Sequence, residues 1–222
     1  MILAFDVNET MLDLSSLDPH FERIFDDAAV LSEWFSQLLQ SAMVATVTDR
    51  YQDFSTLARE ALELTARRHD VELSEEDAVA TLGQMRELEP HPDVEPALEM
   101  LREAGFRLVA LTNSPYRTLH AQLAHAGIRG FFEAALSVDE VRKFKPHPEV
   151  YRMAAGRLGV EPGELRLIAA HNWDTTGAVR AGCRAAFVAR PHRILGKLDE
   201  PVDIVGRDLI EVAEAILRTD RP

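Results

Sequence analysis

Cysteine occurs once in the 222 residues, at Cys183, so the chain cannot close an internal disulfide, and a reducing compartment is the expectation. In the run Gly182-Cys183-Arg184 that cysteine reads as a small buried residue entering a strand rather than a nucleophile. Positive charge is also scarce, with 24 Lys and Arg against 37 Asp and Glu and a net charge of -13. Nucleic acid and anionic membrane surfaces both require a basic face, so neither is expected as a partner. No window approaches the roughly 18 apolar residues of a membrane span, and no basic leader precedes a long apolar segment, which makes a cytoplasmic protein the expectation. The G-x-G-x-x-G fingerprint is missing after the first strand, which counts against a nicotinamide enzyme.

The residues that are present organise into two kinds of segment. Between Asp13 and about Pro90 no convincing strand appears. The residues there show helical spacing instead, as in Phe54, Leu57, Ala58, Ala61, Leu62, Leu64 and Thr65. Asp18-Pro19 and Ser74-Glu75-Glu76-Asp77 read as helix starts. Beyond the linker Glu89-Pro90-His91-Pro92-Asp93, strands alternate with helices. Strands are predicted at 107–112, 134–137, 165–170 and 184–189, and helices at 95–104, 118–126, 149–158, 176–181 and 209–218. This alternation is that of a doubly wound α/β sheet. The predicted organisation is an α/β core domain of residues 1–13 and 91–222, interrupted by a helical domain of residues 14–90.

Four polar positions fall where such a fold places chemistry. Asp6 ends the apolar run Ile2-Leu3-Ala4-Phe5, and ligands in an open parallel sheet bind beyond the carboxyl ends of the strands. Thr112 and Asn113 end the second strand, Lys145-Pro146 follows Arg142-Lys143-Phe144, and His171-Asn172-Trp173-Asp174 follows the strand from Leu165. Each alone reads equally well as a turn. In this order, Asp, Thr/Asn, Lys and Asp resemble the haloacid dehalogenase (HAD) superfamily over nearly the whole chain. The resemblance implies a HAD-like Rossmannoid parallel sheet core with an inserted all-helical cap.

Asn8 decides the branch. Phosphatases of the superfamily carry a second Asp at that position and an acidic pair near the last strand. Here Ala169 and Ala170 leave Asp174 as the only carboxylate of that loop. A hard divalent cation is then poorly served, so no metal and no other cofactor is expected. The chain is more similar to the type II L-2-haloacid dehalogenases, whose last-strand loop ends in Trp-Asp, as Trp173-Asp174 does. By that resemblance Asp6 displaces the halide of a short 2-haloacid, and water hydrolyses the resulting ester to a 2-hydroxy acid of inverted configuration. Lys145 would hold Asp6 ionised. Asn8, Thr112, Asn113, Trp173 and Phe35 would line the substrate site, and a homodimer is implied. Arg117, Lys143 and Lys145 are the local positives available to draw an anionic substrate.

The chain departs from the family at informative places. The family typically has an aromatic residue at the position of Asn8, an Arg shortly after a cap tryptophan, and Ser-Ser-Asn in place of Ala169-Ala170-His171. Phe35 follows Trp34, so the guanidinium that receives the halide is missing there, and Arg50 is the candidate replacement. The same departures introduce Glu9 and His171, expected to converge over Asp6 as a water-activating dyad. Asp174 is the alternative base, or orients Lys145. Two other readings stay open: a phosphate or other ester hydrolase of the same fold, and a non-catalytic member whose cleft binds a small anion or a protein.

Overall fold

The computed structural model describes residues 1–222. Six parallel strands, β1 (Ile2–Phe5), β2 (Arg107–Thr112), β3 (Ala134–Ser137), β4 (Leu165–Ala169), β5 (Arg184–Val188) and β6 (Ile204–Gly206), lie in the order β3-β2-β1-β4-β5-β6. Strand β1 is central, with Phe5 opposite Ala110 of β2 and Ile168 of β4. Its four residues are all buried, because helices cover both faces of the sheet, and a strand covered on both faces reads as an unbroken apolar run. β6 lies at the edge. With three residues and an exposed Val205 it leaves no periodic signal in the sequence.

Four helices, α1 (Asp18–Phe25), α2 (Val30–Val47), α3 (Phe54–Arg68) and α4 (Glu75–Gln84), follow β1 in sequence before the chain returns to the sheet. Asp53 caps α3 by accepting from the N–H groups of Ser55 and Thr56, and Ser74 caps α4 by accepting from Asp77 N–H. Asp18 is already helical, one position inside the expected cap, because a short 3-10 turn capped by Asp13 runs directly into α1. The chain leaves and re-enters the sheet along two adjacent paths: Asp13 N–H bonds Glu89 O at 2.8 Å and His91 N–H bonds Met11 O at 2.9 Å.

Five further helices, α5 (Val94–Glu103), α6 (Tyr116–His125), α7 (Pro148–Leu158), α8 (Asn172–Arg180) and α9 (Leu209–Thr219), flank the sheet. Helix α7 ends at Gly159, whose φ of 70° is the left-handed geometry that favours glycine. Helix α8 starts four residues earlier than its apolar pattern suggests, and so carries Trp173 and Asp174 in its first turn. The α2–α3 connection docks on the loop leading to Lys145. Thr46 Oγ1 accepts Phe144 N–H at 2.9 Å, Lys143 Nζ binds Asp49 at 2.5 Å, and the Tyr51 ring stacks on Phe144 with centroids 5.1 Å apart. No helix is long and apolar enough to cross a membrane.

Candidate active site

The site is built at the carboxyl ends of β1, β2 and β4. Asp6 is the first residue beyond β1, and its own N–H still bonds Ile168 O at 3.0 Å, which fixes where its carboxylate points. Lys145 Nζ donates to Asp6 Oδ1 at 3.0 Å and to Asp174 Oδ2 at 2.9 Å. Thr10 Oγ1 donates to Asp6 Oδ2 at 2.7 Å while accepting Ala170 N–H at 2.9 Å. His171 Nδ1 approaches the same Oδ2 at 3.2 Å, and its Nε2 lies 2.8 Å from Glu9 Oε2. Glu9 adopts a left-handed φ of 62°, a conformation uncommon for a non-glycine residue, and its other oxygen accepts from Arg193.

The electrostatics follow from these contacts. Burial opposes ionisation of Asp6, but the Lys145 charge, the His171 bond and charge and the Thr10 bond together hold it well below the usual carboxylate range. Burial pushes Asp174 up; Lys145 pulls against that, while the nearby Asp6 charge reinforces it. Lys145 loses to burial but gains more from Asp174 and Asp6, and so is held above its ordinary value. His171 likewise loses to burial, yet its bonds to Asp6 and Glu9 lift it to about 9. Asp174 also accepts from Tyr151 Oη at 2.5 Å. That approach depends on Gly177, because a Cβ there would lie 2.7 Å from Tyr151 Oη and 2.6 Å from Pro146 O.

Asp6, Glu9, Lys145, His171 and Asp174 therefore form one hydrogen-bonded cluster. The residues expected to bind substrate sit around it in different ways. Asn113 Oδ1 accepts Lys145 N–H at 3.0 Å, while its NH2 group has no partner in the protein. Thr112 Oγ1 accepts Ser114 N–H at 3.1 Å and shapes the turn after β2. Asn8 has both ends of its amide engaged, accepting from Gln122 at 2.9 Å and donating to Ser114 at 3.3 Å, so its side chain braces the loop. The Trp173 ring stacks on His171 with centroids 4.8 Å apart, and Phe35 of α2 lies 6.3 Å from the same imidazole.

Of the local positives, only Lys145 enters the site. Lys143 pairs with Asp49 at the α2–α3 connection, and Arg117 and Arg50 are exposed without an ionic partner. Arg50 is thus not placed as a substitute guanidinium. Sequence reasoning missed Thr10, whose position four residues after Asp6 was its only signal. It also missed Tyr151 and the loop after β5. There Arg190 donates to Thr10 O at 2.8 Å and to Asp93 at 2.7 Å, and Arg193 reaches Glu9.

The haloacid dehalogenase-like hydrolase family model matches residues 1–182. The (S)-2-haloacid dehalogenase of Xanthobacter autotrophicus is 32% identical over 191 residues, covering 85% of this chain and 74% of that protein. Haloacetate dehalogenase H-2 of Moraxella sp. (strain B) is 29% identical over 192 residues, covering 85% of each. A solved structure of the L-2-haloacid dehalogenase from Xanthobacter autotrophicus with chloropropionic acid covalently bound superposes with a TM-score of 0.91. It is 26% identical, with 99% of each chain covered.

Proposed function

The chain belongs to the haloacid dehalogenase-like hydrolase family, and on that premise we propose that it is a hydrolytic dehalogenase of short 2-haloacids, working through an aspartyl ester to give 2-hydroxy acids. The observation that carries this reading is Lys145 Nζ, set 3.0 Å from Asp6 Oδ1 and 2.9 Å from Asp174 Oδ2 at the end of the central strand. An ionised carboxylate with a fixed counter-charge, at the crevice of an open sheet, is an activated nucleophile. Similarity to dehalogenases over most of the chain directs that nucleophile to a carbon–halogen bond.

Asp6 is the nucleophile in this proposal and Lys145 its counter-ion. The free NH2 of Asn113 and the Thr112 turn face the substrate anion, and Phe35 and Trp173 form the apolar wall. For water activation, both ring nitrogens of His171 are engaged with carboxylates, leaving no lone pair for water. That favours Asp174, made more basic by burial, as the base. Residues 14–90 would act as a cap over a core of residues 1–13 and 91–222. Two further expectations are carried as proposals: a cytoplasmic location, in keeping with the buried Cys183 thiol that burial pushes up to about 12, and a homodimer, in keeping with the exposed Val44 and Val47 of α2.

Halide release from a panel of 2-haloacids tests the reading. Steady release with formation of the 2-hydroxy acid is expected, and no release from any member overturns it. Phe35, apolar where a halide-receiving guanidinium was expected, favours one second reading: a cleft that binds a small anion without turnover. Tight binding of 2-hydroxy or 2-halo acids with no halide release would decide for it.

A further inference from the structure

We infer that His171 is a fixed cationic hydrogen-bond donor that, with Thr10, holds Asp6 Oδ2 so that this oxygen carries the negative charge during ester hydrolysis, while Asp6 Oδ1 is the oxygen that displaces the halide. The inference rests on the dehalogenase reading above and assigns to each carboxylate oxygen a separate task.

The geometry distinguishes the two oxygens. Oδ2 has two donors, Thr10 Oγ1 at 2.7 Å and His171 Nδ1 at 3.2 Å, whereas Oδ1 has Lys145 Nζ alone at 3.0 Å. The less encumbered oxygen has the freer lone pair for attack. Thr10 cannot turn away, because its oxygen already accepts Ala170 N–H at 2.9 Å and its hydroxyl hydrogen is left to point at Asp6. The Arg190 fork on Thr10 O holds the same residue from its backbone.

His171 must carry two N–H groups to make both of its bonds. Its partners, Asp6 Oδ2 and Glu9 Oε2, are carboxylate oxygens, which only accept, and a neutral imidazole has a single N–H. The groups that face it agree in sign. The loop after β1 supplies Asp6 and Glu9, α8 supplies Trp173 without charge, and α2 supplies Phe35 without charge. Arg193, from the loop after β5, reaches Glu9 rather than the imidazole, and Lys145 lies on the far side of the Asp6 carboxylate. Its upward shift to about 9 is in keeping with that surrounding.

The reaction then proceeds in balanced steps. Oδ1 bonds to C2 as the carbon–halogen bond breaks, and the halide leaves with the bonding pair. Water adds to the Asp6 carboxyl carbon, the π pair of the carbonyl moves onto Oδ2, and a proton of the water passes to Asp174. Collapse returns that pair, breaks the bond to Oδ1, and Asp174 gives its proton to the departing alkoxide. The Asp6 acid so formed loses its remaining proton to solvent, since His171 and Lys145 favour its ionised form. A donor set in advance at the oxygen where charge develops is worth about 10²- to 10³-fold in rate.

The test separates the two half-reactions. Protein is mixed with (S)-2-chloropropionate, and released halide and ester-modified Asp6 peptide are followed by quenched-flow mass spectrometry from about pH 6 to about pH 10, the span in which a perturbed histidine titrates. Wild-type ester hydrolysis should fall as pH rises through about 9, because the cationic donor is lost. His171→Ala should still release one halide per site and then accumulate ester, with hydrolysis about 10²- to 10³-fold slower. His171→Asn, which keeps a neutral donor and guards against a folding failure of the alanine variant, should be less impaired and show no alkaline decline. Ester hydrolysis that rises with pH through the same range in the wild type, and loses that rise in His171→Asn, makes His171 a base and overturns the inference alone. Unchanged ester hydrolysis in both variants also overturns it. Absence of any halide from the wild type ends the dehalogenase reading and the inference with it.

Discussion

Lys145 Nζ lies 3.0 Å from Asp6 Oδ1, with the lysine side chain fully buried and the aspartate only 8% exposed. The pair has little water to screen it, so each charge depends on the other. Asp6→Asn should abolish turnover, because an amide keeps the shape but is not a nucleophile, and should lower the melting temperature without preventing folding, because Lys145 and His171 lose a charged partner. Lys145→Ala leaves Asp6 buried without its main counter-charge. Its carboxyl should then titrate higher, and activity should drop by about 10²-fold or more while acquiring an acid limb in the pH–rate profile. Turnover by Asp6→Asn, or a near-normal rate for Lys145→Ala, would refute these roles.

Of the carboxylates beyond β1 and β4, Asp6 and Asp174 are both already bonded to the Lys145 ammonium, and Glu9 is tied to His171 and Arg193. A divalent cation binding Asp6 and Asp174 would have to displace the ammonium. Halide release should therefore survive EDTA and gain nothing from added Mg²⁺. Strict Mg²⁺ dependence with phosphate release from a phosphomonoester would move the chain to the phosphatase branch.

How far the fold could be read in advance depends on burial. Strands β1, β2, β4 and β5 are largely buried runs bounded by polar turns, and their sequence shows it; β3, at the edge opposite β6 and half buried, still reads as a short apolar run. β6 and the first turn of α8 do not, since Ile204–Gly206 is too short and Asn172-Trp173-Asp174 precedes the apolar spacing of its helix. In the site, Asp6, Lys145 and Asp174 were legible by order, each following an element boundary. Thr10 stood in a polar run beside Asn8 and Glu9 with nothing to single it out. Tyr151 looked like any core aromatic on a helix. Arg193 meets Glu9 across 184 residues from an irregular loop, a contact that no local pattern encodes.

His171 couples the site to stability. Its folded value of about 9 lies above the ordinary 6.5, so protonation favours the folded state. That contribution is fully present below about pH 6.5 and is lost as pH rises towards about 9, amounting to roughly 3 kcal/mol at its fullest. The melting temperature of wild type relative to His171→Asn should therefore fall across that window, and the two proteins should converge at its alkaline end. A constant difference from about pH 6 to about pH 10 would mean that the imidazole does not titrate there.

Gly177 lets α8 pass close to the loop that presents Lys145. A Cβ at this position would sit 2.5 Å from Pro146 Cβ, 2.6 Å from Pro146 O and 2.7 Å from Tyr151 Oη, separations that real Cβ atoms essentially never show. Two of those atoms belong to backbone or to a rigid ring, so the helix or the 145–146 segment has to move. Movement of either loosens the Tyr151 bond to Asp174 at 2.5 Å and the Asp174 bond to Lys145 at 2.9 Å. Overpacking of a tight core typically costs about 1–3 kcal/mol, and misplacing catalytic groups by about 1 Å costs about 10²-fold in rate. Gly177→Ala should thus lower both stability and kcat. Pairing it with Tyr151→Phe, which removes the hydroxyl that the new methyl would meet, should restore part of the stability but not the rate. A Gly177→Ala protein with wild-type kcat would show that the spacing between α8 and Lys145 does not set the geometry of Asp6.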